Sequence, residues 1–392
     1  MKIIKNFPKI DLVILAGGKG SRIKSKLKNS PKPMVKISGK PFLDYLINLY
    51  CSYPFNKIYI MCGYRSSEII NRYHGKIINF VKIECITEKQ PLGTGGCLKL
   101  LNKKVSKKFV LVNGDTYLDI DYSFFFKKSI QNKNIISLVK NKNYKSNIKL
   151  INLDIKNSKI VFKKKSNYIN SGIYFLNTKI FNSLKKIKKT HFSFEMDFLN
   201  KQINKKLIYG KKYNNFFIDI GTLKNLSFAK KKLKNITTKP GVFLDRDGVI
   251  NIDNHYVYKI SDFIFNKGII NFLKKITKKS YIFIITNQAG IAHGKYKHQD
   301  FFKLQKNIKK YLFLNKILIN DVQYCPYHPK AKVLKYRKKS NLRKPGNLMI
   351  KRILKQWNIN KKKSFMIGDQ KTDEICAKKS NIKFYYYKKQ KL

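Results

Sequence analysis

The chain has 392 residues, with 85 Lys and Arg against 21 Asp and Glu, for a formal net charge of +64. Its 43% hydrophobic and 13% aromatic content gives ample apolar surface to bury, which excludes a disordered chain, and its length suits two domains better than one core. A polyanion partner is the usual reading of such charge, but Lys and Arg number 50 over residues 1–240 and 35 over 241–392, an even spread with no basic patch, so no specific nucleic-acid footprint is expected.

Only seven of the basic residues are Arg, and Asn and Ile are plentiful, a pattern that compositional drift at surface positions explains. Six cysteines (Cys51, Cys62, Cys85, Cys97, Cys325, Cys376) form no paired framework, which fits a reducing, cytoplasmic compartment. Lys2 and Lys5 precede a single apolar run, Leu12 to Ala16, too short for a signal segment or a membrane span. Neither export nor a membrane anchor is expected.

From Asp11 an apolar run, a glycine turn and an amphipathic segment follow one another, and the pattern recurs at Lys57–Gly63 and Phe109–Gly114. Strands alternating with helices predict a mostly parallel sheet covered on both faces. Thr222 is placed to cap a helix running to about Asn235, and Ile236-Thr-Thr-Lys-Pro-Gly241 breaks the pattern, so domains are expected at 1–236 and 241–392. Beyond the break, Val242–Leu244 and Tyr281–Ile285 read as buried strands and Ile269–Ile276 as a helix, a second α/β unit with no internal repeat of the first.

Gly17, Gly18 and Gly20 follow the Leu12–Ala16 strand, where a flexible backbone brings amide donors close to phosphates. The run lacks both the Gly-Lys-Ser/Thr ending of a P-loop and the third glycine of the dinucleotide fingerprint. After it come Arg22, Lys32 between two prolines, Pro91-Leu-Gly-Thr-Gly-Gly96, Asn113-Gly-Asp115 and Phe217-Ile-Asp-Ile-Gly-Thr222.

In that order these segments resemble the sugar-phosphate nucleotidyltransferase family over residues 10–235. The likeness is nearest to guanylyltransferases acting on D-glycero-D-manno-heptose 1-phosphate, through Pro31-Lys-Pro-Met34, Gly39-Lys-Pro-Phe-Leu-Asp-Tyr-Leu46 and Phe192-Ser-Phe-Glu-Met-Asp-Phe198. The resemblance implies a Rossmann-like, GT-A-like α/β domain in which Asp115 and Asp219 hold Mg²⁺, Arg22 takes the leaving pyrophosphate and Lys32 steadies the transferred phosphoryl group. It further implies nucleotide or substrate contacts at Gly17, Gly18, Gly20, Gly93 and Asn113, and sugar contacts at Lys165 and Asn170. Lys164 stands where the family commonly has the Glu that accepts sugar hydroxyls.

Asp245 and Asp247 lie two apart directly after an apolar strand, so both leave its end on the same side. Spacing alone is not distinctive: Asp119 and Asp121 share it and are given no role. The second pair, however, is followed by Ile284-Ile-Thr-Asn-Gln-Ala-Gly290, Arg343-Lys-Pro345 and Ile367-Gly-Asp-Gln-Lys-Thr-Asp373. The set resembles the haloacid-dehalogenase-like phosphatases over residues 241–385, nearest to the heptose bisphosphate and histidinol phosphatase group.

That resemblance implies a second Rossmann-like domain with Asp245 as nucleophile and Asp247 as general acid and base. Mg²⁺ would be held by Asp369, Asp245 and the Asp247 carbonyl. Thr286 and Lys344 would donate to phosphoryl oxygens, Asn287 and Arg343 would bind substrate, and Asp373 would support Lys344 or the metal shell. Zinc is not expected. The group often carries a Cys/His zinc loop, but here only Cys325 and a displaced His328 remain, with Tyr327, Ser340 and Leu342 at the other ligand positions. His293 stands where related chains usually carry Arg.

Together the resemblances predict a bifunctional enzyme using GTP or another NTP and sugar phosphates: one half removes a 7-phosphate, the other joins the 1-phosphate to a nucleotide. The competing readings are the same two reactions on another sugar and NTP, or a basic nucleic-acid-binding protein with decayed catalytic folds. No membrane partner is expected, and a homo-oligomer is compatible with all of these readings.

Overall fold

The computed structural model describes residues 4, 6–18, 20–27, 30–140 and 152–387; Lys2, Lys5 and Lys19 of the segments above lie outside the described residues. Ile10–Leu15 is apolar almost throughout because both of its faces are covered. It pairs in parallel with Lys57–Cys62 on one side and Lys108–Asn113 on the other, and its alternating side chains feed two cores, Leu12 and Ile14 into one and Val13 into the second.

The expected parallel centre is present, but the sheet does not stay parallel. Tyr168–Asn177 runs antiparallel to both Lys108–Asn113 and Ile135–Lys140, and the Leu153–Lys156 and Lys159–Phe162 hairpin extends that edge. Among the described residues the sheet has ten strands. Separate from it, Thr116–Leu118 pairs antiparallel with Phe217–Asp219 in a short ribbon. Thr222 caps the helix Leu223–Ile236, its hydroxyl accepting from the Asn225 amide at 3.2 Å.

The second sheet starts at Gly241. Its five strands are all parallel, in the order Asp321–Cys325, Tyr281–Asn287, Gly241–Leu244, Phe365–Gly368, Lys383–Tyr386. The Ile269–Ile276 helix lies where periodicity put it, while the Tyr281 strand runs two residues further than expected and so includes Thr286 and Asn287.

The two halves are clasped by side chains that cross between them. Phe80 enters the second core against Phe301 and Phe302, with ring centroids at 6.0 and 5.3 Å. Phe313 returns the contact, 5.0 Å from Phe126 and 5.9 Å from Phe7. Buried Lys309 donates to the carbonyls of Cys51 at 2.6 Å and Asn79 at 2.9 Å, and Asn48 and Gln356 exchange hydrogen bonds of 2.9 and 2.7 Å. Among the described residues no helix is long and apolar enough to cross a membrane.

Candidate active sites

The carboxyl ends of the parallel strands in the first half open into a cavity of about 530 Å³, where open α/β sheets place their ligands. Gly17, Gly18, Arg22, Lys32, Gly93, Asn113, Asp115, Asn170 and Asp219 all line it. Asp115 leaves the end of Lys108–Asn113, and the ribbon register sets Thr116 opposite Asp219, so residues far apart in sequence bring two carboxylates to one wall.

Their electrostatics differ. Burial opposes charge on Asp115, but the Lys32 ammonium paired with it outweighs burial and holds its pKa below the ordinary value. Asp219, half-buried and repelled by Asp115, is pushed up to about 6, with Lys32, the Gly221 amide and Arg22 pulling the other way. A pair of half-buried like charges is relieved by a hard cation between them, and this donor set fits a divalent ion held mainly by carboxylates.

Gly93 adopts φ +71°, and a Cβ there would fall 2.5 Å from the Phe192 carbonyl oxygen, so only glycine lets the Pro91–Gly96 loop lie against the Phe192 segment. That contact brings in Glu195, which sequence reading quoted within its motif but gave no role. It accepts from the hydroxyls of Thr94 at 2.9 Å, Ser193 at 3.1 Å and Tyr174 at 3.4 Å, and Tyr174 in turn accepts from Asn170 at 2.7 Å. Glu88, His191 and Ser171 also line the cavity unforeseen. The Asn113 side-chain oxygen and the Ser171 hydroxyl are buried without a partner among the described residues.

Two expected residues are not on the wall. Lys165 is exposed on the turn closed by the Ser166 amide onto the Lys163 carbonyl, in the connection that leads from Lys159–Phe162 to Tyr168–Asn177. Gly20, at φ +64°, backs the Lys32 side chain instead of lining the cavity.

In the second half a smaller cavity, about 310 Å³, lies at the carboxyl ends of the parallel strands. It is lined by Asp245, Asp247, Thr286, Asn287, Arg343, Lys344 and Asp369, which are all the site residues expected there. Lys344 is buried between carboxylates, 2.7 Å from Asp245 and 2.6 Å from Asp373. Burial alone would strip its proton, but the two carboxylates outweigh burial and raise its pKa. Asp245 is pushed up to about 7, first by burial and then by Asp373 and Asp247, against the pull of Lys344.

Asp247 is held by several donors. Buried Arg246 forks onto it at 2.8 Å, and Asn251 and Gln288 each donate at 3.0 Å. Thr286 accepts from Gln288 at 2.8 Å, and Asn287 is bonded to both the amide and the carbonyl of Lys344 at 3.0 and 3.2 Å, which ties two loops together. One Arg343 guanidinium nitrogen is buried without a partner among the described residues.

Asp245, Asp369 and Asp373 offer carboxylate oxygens all within 4.8 Å of one another. One Asp369 oxygen has no hydrogen-bond partner among the described residues, and burial raises the Asp369 pKa. This too fits a hard divalent cation. Gly248, at φ +84°, allows it: a Cβ there would sit 2.2 Å from an Asp369 oxygen.

The zinc-loop positions do not fit a metal. Cys325 donates to the Tyr327 carbonyl at 3.7 Å, the Tyr327 ring takes the Lys338 ammonium at 4.0 Å, and Leu342 is in the hydrophobic core. His293 and His328 approach with ring centroids 4.9 Å apart, beside the Tyr256 wall.

The profile of the nucleotidyl transferase family matches residues 12–236, and that of the haloacid dehalogenase-like hydrolases matches 315–386. Over 236 residues, 58% of this chain and 99% of the relative, it is 33% identical to a D-glycero-alpha-D-manno-heptose 1-phosphate guanylyltransferase of Aneurinibacillus thermoaerophilus. Over another 147 residues, 37% of this chain and 80% of the relative, it is 36% identical to a D-glycero-beta-D-manno-heptose-1,7-bisphosphate 7-phosphatase of Haemophilus ducreyi. This chain is a nucleotidyl transferase joined to a haloacid dehalogenase-like hydrolase.

A crystal structure of HddC from Yersinia pseudotuberculosis covers 57% of this chain and 99% of its own, at 36% identity and a TM-score of 0.48. The glycine-walled cavity is built by residues of the transferase unit, and the aspartate cluster by residues after Gly241. In the hydrolase unit, sequence reading missed Asp253, His255, Tyr256 and Tyr296, which complete the cavity wall. They lie in loops without a repeating pattern, so no signal in the sequence singled them out.

Proposed function

We propose that the hydrolase unit removes the 7-phosphate of D-glycero-D-manno-heptose 1,7-bisphosphate and that the transferase unit joins the resulting 1-phosphate to GMP from GTP. The observation that carries this reading is the pairing in one chain of two phosphate-handling sites whose relatives act on consecutive forms of one sugar. The relatives' names carry opposite anomers, alpha for the transferase and beta for the phosphatase. For the product of one site to feed the other, this hydrolase unit must accept the alpha anomer.

In the hydrolase unit, Asp245 attacks phosphorus, a P–O bond forms to its carboxylate, and the bond to the sugar oxygen breaks. Asp247 protonates the departing alkoxide and then takes a proton from the water that hydrolyses the aspartyl-phosphate, returning Asp245 free and releasing inorganic phosphate. Lys344, Thr286 and Arg343 donate to the phosphoryl oxygens, and Asp373 keeps Lys344 charged and aimed. Mg²⁺ held by Asp245, Asp369 and the Asp247 carbonyl supplies charge neutralisation that lets a carboxylate approach a phosphate.

In the transferase unit, an oxygen of the sugar 1-phosphate displaces pyrophosphate from the α-phosphorus of GTP, a reaction that depends mostly on positioning and charge neutralisation. Arg22 takes the leaving pyrophosphate, and Lys32 moves from Asp115 to the transferred phosphoryl group. The backbone of Gly17 and Gly18 and the unpartnered Asn113 oxygen meet the nucleotide. Asn170, oriented through Tyr174 by Glu195, meets the sugar. Mg²⁺ on Asp115 and Asp219 supplies the countercharge for the two reacting phosphates.

The test is to incubate the full chain with the alpha and beta heptose 1,7-bisphosphates, each NTP and Mg²⁺, following phosphate and pyrophosphate separately. Phosphate release from the alpha anomer followed by pyrophosphate release with GTP is expected. Absence of pyrophosphate release from heptose 1-phosphate and GTP removes the guanylyltransferase reading, and turnover of the beta anomer alone removes the sequential one.

A further inference from the structure

A third cavity, about 890 Å³, lies in the seam between the two halves and belongs to neither active site. Small-molecule sites commonly span about 300–1,000 Å³ and favour the junctions of domains. Both halves build this one: Tyr45 and Tyr117 come from the transferase unit, Tyr281 and Trp357 from the hydrolase unit. Aromatic rings form part of its wall beside Asn48, Asn320 and Gln356, with Tyr45, Tyr117 and Trp357 only 7%, 5% and 6% exposed. The Tyr281 and Trp357 rings pack with centroids 4.7 Å apart, and the Trp357 indole N–H is buried with no acceptor among the described residues. Such a donor is costly to leave unmet.

The rim has the opposite character. Lys127, Lys278 and Lys316 are exposed around it, and the lining as a whole has five lysines against three aspartates. Two of those aspartates are engaged elsewhere, Asp44 by Arg72 at 2.9 Å and Tyr73 at 2.6 Å, and Asp121 by the Ser123 amide and hydroxyl at 2.9 and 2.6 Å. Net positive charge therefore surrounds an aromatic interior.

We infer that the seam cavity is a second nucleotide site, which takes the base of a nucleoside diphosphate among Tyr281, Trp357 and Tyr117 and its phosphates at the lysine rim. Aromatic walls recognise a flat base by stacking, and ammonium groups recognise phosphate by charge-assisted hydrogen bonds. The position gives occupancy a consequence. Tyr117 sits in the ribbon register between Asp115 and Asp119, opposite Ile218, so a ligand against its ring touches the ribbon that holds Asp115 and Asp219. The inference does not depend on which sugar either active site accepts.

Trp357 is the only tryptophan in the chain, so its fluorescence reports on the wall of this cavity. Titrating the full-length protein with GDP is expected to change that emission saturably. The double variant Lys278→Ala, Lys316→Ala is expected to shift the midpoint at least about tenfold upward through the loss of two charge-assisted phosphate contacts, with both basal turnover rates unchanged. Unchanged emission overturns the inference. So does an equal midpoint in the double variant, since the signal would then come from the transferase site, and so does an equal response to inorganic phosphate alone, since the cavity would then take a bare anion.

Discussion

In the transferase unit two carboxylates meet across a ribbon and one lysine sides with only one of them, so Asp115 is held low while Asp219 rises to about 6. In the hydrolase unit one lysine is gripped by two carboxylates at once, and the cavity around them is about 310 Å³ against about 530 Å³ in the first. The difference fits the proposed chemistry, in which a site that aligns two substrates needs a wide, backbone-walled space and a cation that can change partners, while a site whose own side chain attacks one phosphate needs that side chain held against a fixed charge.

The largest effect expected from this contrast is at Asp245. Asp245→Asn keeps the shape but removes the proposed nucleophile, and phosphate release is expected to fall about 10⁴-fold while pyrophosphate release from heptose 1-phosphate and GTP is unchanged. Residual phosphatase activity within tenfold of the parent would mean that Asp245 is not the attacking group. Next comes Asp219→Asn, expected to lower pyrophosphate release about 10³-fold by removing half of the carboxylate pair, with phosphate release untouched. Parallel loss of both activities would instead show that the two sites are not separate.

A third variant tests the wider site. Glu195→Gln keeps size but weakens the bond to Thr94 and the bond to Tyr174, whose hydroxyl accepts from Asn170. Because Glu195 acts through other residues, KM for the sugar phosphate is expected to rise about tenfold with KM for GTP unchanged. Equal shifts in both constants would mark a general loosening of the loop.

Much of this contrast was legible in the sequence because phosphate chemistry ties residue types to strand ends. Asp115, Asp245 and Asp247 follow apolar runs, so both their identity and their place could be read. Glu195 could not, since its role depends on Gly93 letting a distant loop touch the Phe192 segment. Lys165 shows the converse: it is next to matching residues in sequence, yet an exposed turn holds it off the cavity wall. The antiparallel edge strands and the seam escaped for lack of local signal. Nothing around Phe80 or Lys309 announces that they cross into the other half, because a contact between domains leaves no period in either one.

The seam also offers the gentlest probe of whether the two sites work independently. An unfolded lysine keeps its proton to about pH 10.4, whereas burial lowers Lys309 to about 7, with Lys306 adding to the effect and Cys51 and Asp321 opposing it. Between those values the unfolded chain binds the extra proton, so Lys309 makes stability rise with pH. From pH 7 to about 8.5 the gain is on the order of 2 kcal/mol, a few degrees in Tm. Lys309→Met, which has nothing to titrate, is expected to lose that part of the slope, and identical slopes in parent and variant would refute the assignment. Because each site is lined only by residues of its own half, neither turnover rate at pH 7 is expected to change by more than about twofold in the variant. A larger change in the transferase alone would mean that the seam acts on the Asp115 and Asp219 ribbon, and the contrast between the two sites would then be partly a product of their docking.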